Sequence, residues 1–567
     1  MSITIPTKVS ELVKLTWSDF EPAFKKLKKM TLTASNVEAW LSEWSHAAEA
    51  ADEMSQRLYV ARTVNTADEV ADMGFNDFMD NIYPQLMEAN QKLKEKLITS
   101  KLEPKGFEIP LRNMRAEFEL FRSENLPLLA EEQKFNTQYD KIIGAQSVQW
   151  EGQEMTVTQL RPVYFEDNRS RREKAFRTVA TRQLADRQVI NENWQQVLAL
   201  RMKVAKNAGK PDYRAWKWQD MLRFDYTPED SKKFQIAIEK AVVPVAKRLY
   251  EKRRKRLGLD TLRPWDLDVN PLKRPALHPY KTVEELKSTT SRMYHSVDET
   301  LGKNFDYMIS HDLMDLENRK NKAPGAYCTS YNLIRKPFIF HNAVGIHDDV
   351  QTMLHEGGHA MHVFESASLP YVQQLQVPME FAEVASMAME LLASPYLEKE
   401  KGGFYSKKEA AQALGEHLER TINFWPYMAV VDAFQHWVYE NPQKALVPAN
   451  CDASWGKLWD RFMVGVDWSG LDTYKVTGWQ RKLHIHQIPF YYVEYGLAQL
   501  GAVQIWANAL KDQKKAVADY RYALSLGSTV TLPELYKAAG VRLAFDAETL
   551  GAMVNLMEQK IKELEKV

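Results

Sequence analysis

The sequence has almost no cysteine. Cys328 and Cys451 are the only two among 567 residues, and no CxxC pair occurs. A disulfide framework and a cysteine-rich zinc site are thereby excluded. Net charge is also missing, because 75 basic residues balance 75 acidic ones. Such a chain has no global field to draw in nucleic acid or an anionic membrane, so neither is expected as a partner. No run reaches the roughly 18 apolar residues that suggest a membrane-crossing helix. The first residues, MSITIPTKVSELVKLTW, lack the basic-then-apolar order of a secretory signal. The cytoplasm is therefore the expected home. Runs of Val and Ile with period two are few, so an extensive sheet is not expected. The rest is ordinary folded composition, 45% hydrophobic and 26% charged. A chain this long can bury a large core and enclose a cavity.

Most of the chain reads as helix. Ser35-Asn36-Val37-Glu38 and Thr66-Ala67-Asp68-Glu69 have the form of capping boxes. Thr227-Pro228-Glu229 pairs a cap with a proline in the first turn. Thr282-Val283-Glu284-Glu285 opens another helix, and Asp546 precedes a last one that runs into Met557 and Ile561. Two places break the pattern. Val148 and Trp150 alternate before Glu151-Gly152, and Met155 and Val157 alternate after it, which predicts a hairpin. Residues 325–345, GAYCTSYNLIRKPFIFHNAVG, predict one or two strands beside the following helix. Pro264, Pro271, Pro275 and Pro279 mark an extended connection. The basic run Lys252–Arg256 reads as a solvated helix end, where positive charge suits the dipole.

His355-Glu356-Gly357-Gly358-His359 fits HExxH. Residues four apart on a helix share a face, so His355 and His359 can present two imidazoles to one metal ion. Glu356 is rotated by about 100° and can act on water without being a ligand. With His at about 2% and Glu at about 7%, a chain of this length contains the pattern by chance only about 0.02 times. Asp348 or Asp349 can cap the helix, and Val350, Met353 and Leu354 give it an apolar face. Gly357 and Gly358 break a local rule, because each costs about 1 kcal/mol in a helix relative to Ala. The missing side chains leave room for a substrate or for a neighbouring helix.

A catalytic zinc takes three protein ligands and keeps one position open. Downstream, Glu380, Glu383 and Glu390 fall on one stripe of a second predicted helix, among Phe381, Val384, Met387 and Met389. Spacing leaves open which of them is the third ligand, and another can orient a ligand histidine from behind. His362, three residues after His359, reads as a supporting or packing residue. A further cluster, His484-Ile485-His486-Gln487-Ile488-Pro489-Phe490-Tyr491-Tyr492-Val493-Glu494-Tyr495, offers two tyrosine pairs at helical spacing, Tyr491 with Tyr495 and Tyr492 with Tyr495. Such hydroxyls suit an oxyanion, and they suit an aromatic core equally well.

Three ordered segments, HEGGHAMH at His355–His362, FAEVASMAME at Phe381–Glu390 and HIHQIPFYYVEY at His484–Tyr495, together resemble the thimet oligopeptidase and oligoendopeptidase F family of zinc metallopeptidases. The bacterial oligoendopeptidase F branch is the nearest in look, with weaker echoes in LRPWDL at Leu262–Leu267 and in GAY at Gly325–Tyr327. The resemblance implies Zn2+ on His355, His359 and Glu383, with Glu356 as general base; the helical stripes leave Glu390 and His362 as the candidates behind the ligands. It implies transition-state roles for His484, Tyr491 and Tyr495, and leaves Tyr492 possible. Gly357 departs from the bulkier residue usual in the family. The implied fold is mostly α, a two-lobed multi-helical shell around a deep channel, with the HExxH helix beside a small β-sheet. Residues 1–165 would form a helical N-terminal region ending in the hairpin, and 166–567 the catalytic region. Phe338–Asn342 would pair with an extended substrate, so that Phe338, Phe340 and Tyr492 line its path. The implied activity is endopeptidase cleavage of short unfolded oligopeptides by a monomer or small homo-oligomer. A dipeptidyl carboxypeptidase and a non-catalytic helical binding scaffold are the alternatives.

Overall fold

The computed structural model describes residues 5–567. Helices dominate, and the caps that the sequence offers explain many of their starts. Thr227 accepts from the Asp230 amide, with Pro228 in the first turn. Thr282 accepts from the Glu285 amide, and Asp546 from the Thr549 amide of the last helix, Ala547–Leu564. Two predicted capping boxes do not form. The helix Val37–Val64 follows Asn36, whose side chain accepts from the Thr33 amide, while Ser35 bonds the Thr33 hydroxyl. At the next helix Asp68 is the cap, because Thr66 is drawn to the Asn321 carbonyl. The basic run ends the helix Val243–Arg256. Lys252 and Arg256 pair with Glu565, and Arg253 donates to the Val269 carbonyl.

Among the described residues, five strands punctuate the helices. β1 (Ser147–Trp150) and β2 (Gln153–Thr156) form the hairpin, turning at Glu151 and Gly152 with φ of 52° and 85°. β3 (Met314–Glu317), β4 (Tyr327–Tyr331) and β5 (Lys336–Ala343) form a second sheet in the order β3-β5-β4. β3 runs parallel to β5, and β4 runs antiparallel to it. This corrects the expectation that Phe338–Asn342 offers an edge to a substrate. β5 is the central strand, and its pairing capacity is used on both sides. The turn between β4 and β5 is tied to the helix Val37–Val64, through Asn332 to Asp52, the Ile334 amide to Glu53, and Arg335 to Glu49.

β5 leads through Gly345 into the motif helix, His347–Ser366. Asp349, in its first turn, accepts the amides of Val344, Gly345 and Ile346 at 2.9, 2.8 and 2.9 Å and the Tyr280 hydroxyl. Burial raises its carboxyl, but these bonds and His341 outweigh burial and hold it at about 2. Asp348 instead faces Arg420 at the surface. The corner fixes where the helix starts, and so where the histidines fall.

The motif helix packs on a second helix, Met379–Leu392, which in turn packs on the helix Tyr492–Ala509. The paired glycines now have reasons. A Cβ on Gly358 would lie 2.6 Å from both the Ala385 carbonyl oxygen and Ser386 Cα, so Gly358 allows the two helix backbones to touch. A Cβ on Gly357 would collide with the buried Tyr294 hydroxyl, which donates to the Leu354 carbonyl at 3.3 Å. A neighbouring helix and a tyrosine, rather than substrate, fill the space. A smaller core gathers residues between Leu12 and Met114 with Tyr371.

Gly358→Ala should lower stability by about 1–3 kcal/mol, the usual cost of overpacking. Gly415→Ala, in the helix Lys407–Glu440 with nothing near its added Cβ, should instead be neutral or stabilising by up to about 1 kcal/mol. Urea unfolding of the two variants checks the contrast.

Candidate metal centre and peptide site

The motif helix brings His355 and His359 onto one face, with ring centroids 5.0 Å apart. Across the Gly358 contact, the second helix points Glu383 at both. Glu383 Oε2 lies 3.5 Å from His355 Nε2 and 3.9 Å from His359 Nε2. One ligand atom from each of the three falls within 4.8 Å of the others. The histidine side chains remain 27% and 23% exposed, so the cluster opens to solvent.

Glu390, two turns further along the second helix, accepts from His355 Nδ1 at 2.7 Å. That bond orients the ring and leaves Nε2 facing Glu383. The other oxygen of Glu390 lies 3.6 Å from Nδ1 of His417 on the long helix Lys407–Glu440. Sequence reasoning missed His417. It carries no motif, and its one signal is a polar residue beside buried Leu414, Leu418 and Thr421. His362 makes no bond to the cluster. Its ring meets Phe381 edge-on, its Nε2 is buried without a partner, and burial pushes its pKa down to about 3. It is a packing residue.

The charges favour a cation. Glu356, Glu383 and Glu390 converge here, and among the described residues no Lys or Arg pairs with any of them. Burial opposes a charged His355, but Glu383 and Glu390 overcome it and hold its pKa well above the ordinary value. Burial, with the positive His355 next to it, pushes His359 down to about 4, so its ring is neutral with a free lone pair. Burial pushes the Glu356 carboxyl up to about 7, against the pull of His355 and with a contribution from Glu383. Cys328 of β4 lies close by, and its backbone counters part of that rise. Two imidazoles, one carboxylate and surplus negative charge form a donor set that fits zinc.

Glu380 does not join this set. Its carboxylate accepts the Tyr226 hydroxyl at 2.6 Å and lies 3.6 Å from Arg223. Arg223 also donates to the Phe490 carbonyl and to Glu494, each at 2.5 Å. Phe490 has a left-handed φ of 65° and immediately precedes Tyr491. The buried guanidinium therefore ties the tyrosine segment to the glutamate helix. Nothing in the local sequence around Arg223 signals this role.

Tyr491 and Tyr495 pack edge-to-face at 5.2 Å, and both are half-buried. Burial raises the pKa of each hydroxyl, and Glu383 adds to both rises, so both stay protonated as donors beside the cluster. His484, on the short helix Leu483–Gln487, lies with its ring 6.0 Å from each. Burial, then Lys482, pushes it down to about 4. Tyr492 turns away. It is 6% exposed and packs on Phe424 and Tyr427. Phe338 and Phe340 are 8% and 0% exposed, against Tyr331 and Tyr327 respectively. All three side chains expected along a substrate path are therefore core residues, because their alternating positions face the sheet's packed side or the aromatic cluster.

Comparison with known proteins follows the same lines. The solved structure of PZ peptidase A with an inhibitor superposes with a TM-score of 0.84 at 28% identity, over 99% of this chain and 98% of that one. A structure provisionally named oligoendopeptidase F gives 0.83 at 25% identity, again over 99% and 98%. Oligopeptidase PepF of Bacillus subtilis (strain 168) is 24% identical over 328 residues, which is 57% of this chain and about half, 47%, of that relative. A family model for the Peptidase M3 N-terminal domain matches residues 11–121. The model of Peptidase family M3 itself matches residues 165–555, a span holding the motif helix, the glutamate helix and the tyrosines, and the chain belongs to that family.

Proposed function

We propose that the protein is a zinc-dependent endopeptidase that hydrolyses internal bonds of short, unfolded peptides. The observation that carries this reading is the convergence of His355, His359 and Glu383, with Glu356 beside them and Tyr491 and Tyr495 near enough to feel the Glu383 charge. His355 through Nε2, His359 through Nε2 and Glu383 would hold the ion. The chemistry zinc supplies when bound is that of a Lewis acid, which acidifies water and polarises a carbonyl oxygen.

This chain's residues do the rest. The Glu356 carboxylate takes a proton from the attacking water and returns it to the nitrogen of the leaving amine. Its raised pKa suits both halves of that task near neutral pH. As charge builds on the former carbonyl oxygen, the hydroxyls of Tyr491 and Tyr495 and the His484 ring donate to it. Glu390 keeps His355 in one orientation throughout. β4, the outer strand of its sheet, with Cys328 near Glu356, is the edge on which an extended peptide backbone pairs.

The direct test is hydrolysis of a quenched fluorogenic peptide. Activity should vanish with a zinc chelator and return on adding zinc. Glu356→Gln should retain zinc yet lose about 10²- to 10⁴-fold in kcat. Chelator-resistant cleavage, or a zinc-loaded Glu356→Gln with normal turnover, would sink the reading.

Glu383→Ala should weaken zinc binding far more than Glu380→Ala, measured by competition with a chromogenic chelator. Glu380→Ala should instead lower stability, because it removes the Tyr226 acceptor and one neighbour of buried Arg223.

Tyr491→Phe and Tyr495→Phe should each lower kcat by about 10²- to 10³-fold, as loss of an oxyanion donor does, with KM of the same order. Tyr492→Phe, whose ring faces the aromatic cluster, should change kcat by less than about tenfold.

A further inference from the structure

A proline fixes which groups the outer edge of β4 exposes. β4 pairs with β5 from Tyr327 opposite Phe340 to Tyr331 opposite Lys336, which sets Ser330 opposite Pro337. Proline has no amide, so Ser330 and Pro337 cannot exchange hydrogen bonds. Bonded and unbonded pairs alternate along an antiparallel ladder, so Cys328 and Ile339 exchange none either. The amides and carbonyls of Cys328 and Ser330 therefore point outward. Among the described residues neither has a backbone partner beyond the sheet. Cys328 lies close to Glu356, so this free edge runs past the metal centre.

The side chains of β4 alternate between two faces. On one face the Tyr327 hydroxyl meets that of Thr63 at 2.6 Å, Thr329 donates to Gln56 at 2.7 Å, and Arg57 lies 4.0 Å over the Tyr331 ring. All three partners belong to the helix Val37–Val64, which therefore lies along this face. A peptide added to the edge turns every second side chain to the same face.

Tyr59 of that helix stands where such a side chain arrives. Its ring lies 5.5 Å from that of Tyr327 and 6.0 Å from that of Phe75. Val60, the next residue, is buried in the core that also holds Phe340 of the central strand. Tyr59 is turned about 100° round the helix from Val60, away from that core and toward the open side of β4. Its ring is still 39% exposed. Phe75 is half-buried behind it, with Arg62 over its ring at 5.0 Å. Covering the exposed ring with a second aromatic side chain removes apolar surface from water and adds the attraction of an aromatic pair.

We propose that Tyr59, backed by Phe75, is a specificity-determining residue that receives an aromatic side chain of the peptide, at the position opposite Tyr327. Tyr327 adjoins Cys328, so this position falls within about two residues of the cleaved bond. The inference rests on the peptidase reading, with the peptide paired on β4, and narrows its substrates to peptides with an aromatic residue near the cut.

The test uses Ala-rich, quenched fluorogenic peptides that carry one Phe or none, digested by the zinc-loaded enzyme, with the product masses recorded. The Phe peptides should be cleaved about tenfold faster in kcat/KM than the peptide without Phe. The cut should fall at one fixed distance from the Phe wherever the Phe is placed. Tyr59→Phe, which keeps the ring, should retain both properties. Tyr59→Ala should bring the ratio to about one, chiefly through KM, and should scatter the cuts. If Tyr59→Ala does not fold by circular dichroism, Tyr59→Gln gives the same comparison with a long side chain and no ring. Equal rates for the two kinds of peptide with the unmutated enzyme, or a Phe preference that survives loss of the Tyr59 ring, would overturn the proposal. Failure of the peptidase reading looks different, because the unmutated, zinc-loaded enzyme would cut neither kind of peptide, and both readings would fall.

Discussion

The closeness of two helix backbones at Gly358 sets the geometry of everything around it. With the Ala385 carbonyl and Ser386 Cα where a side chain would go, the motif helix and the glutamate helix have one available separation. That separation places Glu383 between His355 and His359. It also brings Glu390 to the rear of His355, two turns further on. A pair of interior glycines looks like a weakness when helix propensity is considered alone. Here they exchange local helix stability for a contact that side chains would prevent, and Asp349 at the helix start restores order at the other end.

Charge is distributed around that contact with a clear division. Glu383 and Glu390 have only histidines as ionic partners, and among the described residues no Lys or Arg pairs with either of them or with Glu356. One helical turn earlier, Glu380 is fully engaged with Arg223 and Tyr226. The same helix therefore carries one glutamate whose charge the protein neutralises and others whose charge it leaves available. That division separates a structural carboxylate from those that attract a cation, although they share a stripe.

This division also explains what the sequence disclosed and what it withheld. His355, Glu356 and His359 were legible because their chemistry depends on spacing within one helix. Spacing alone left Glu380, Glu383 and Glu390 equivalent; the residues that distinguish them, Arg223, Tyr226 and His417, come from distant parts of the chain. The hairpin at Glu151-Gly152 was legible from its turn, and the caps at Thr227, Thr282 and Asp546 from their first turns. Ser35 misled because its hydroxyl bonds the neighbouring Thr33 hydroxyl, and Thr66 because the distant Asn321 carbonyl claims its side chain. Phe338 and Phe340 misled for another reason. An alternating aromatic strand reads the same at an edge or at a centre. Its place was decided by β3, a strand of four residues with too little pattern to see.

The link from Arg223 to Phe490 and Glu494 has a consequence for the order in which the protein becomes competent. The cation-binding groups are complete by residue 390 in the chain, whereas the hydroxyl donors lie after residue 490 and are anchored by a guanidinium from residue 223. In the order of synthesis, His355, His359 and Glu383 thus precede Tyr491 and Tyr495 by about a hundred residues. The Arg223–Glu494 ion pair thus ties the tyrosine segment to a residue made far earlier in the chain. On the proposed roles, a chain cut before Tyr491 would keep His355, His359 and Glu383 and lack both hydroxyls.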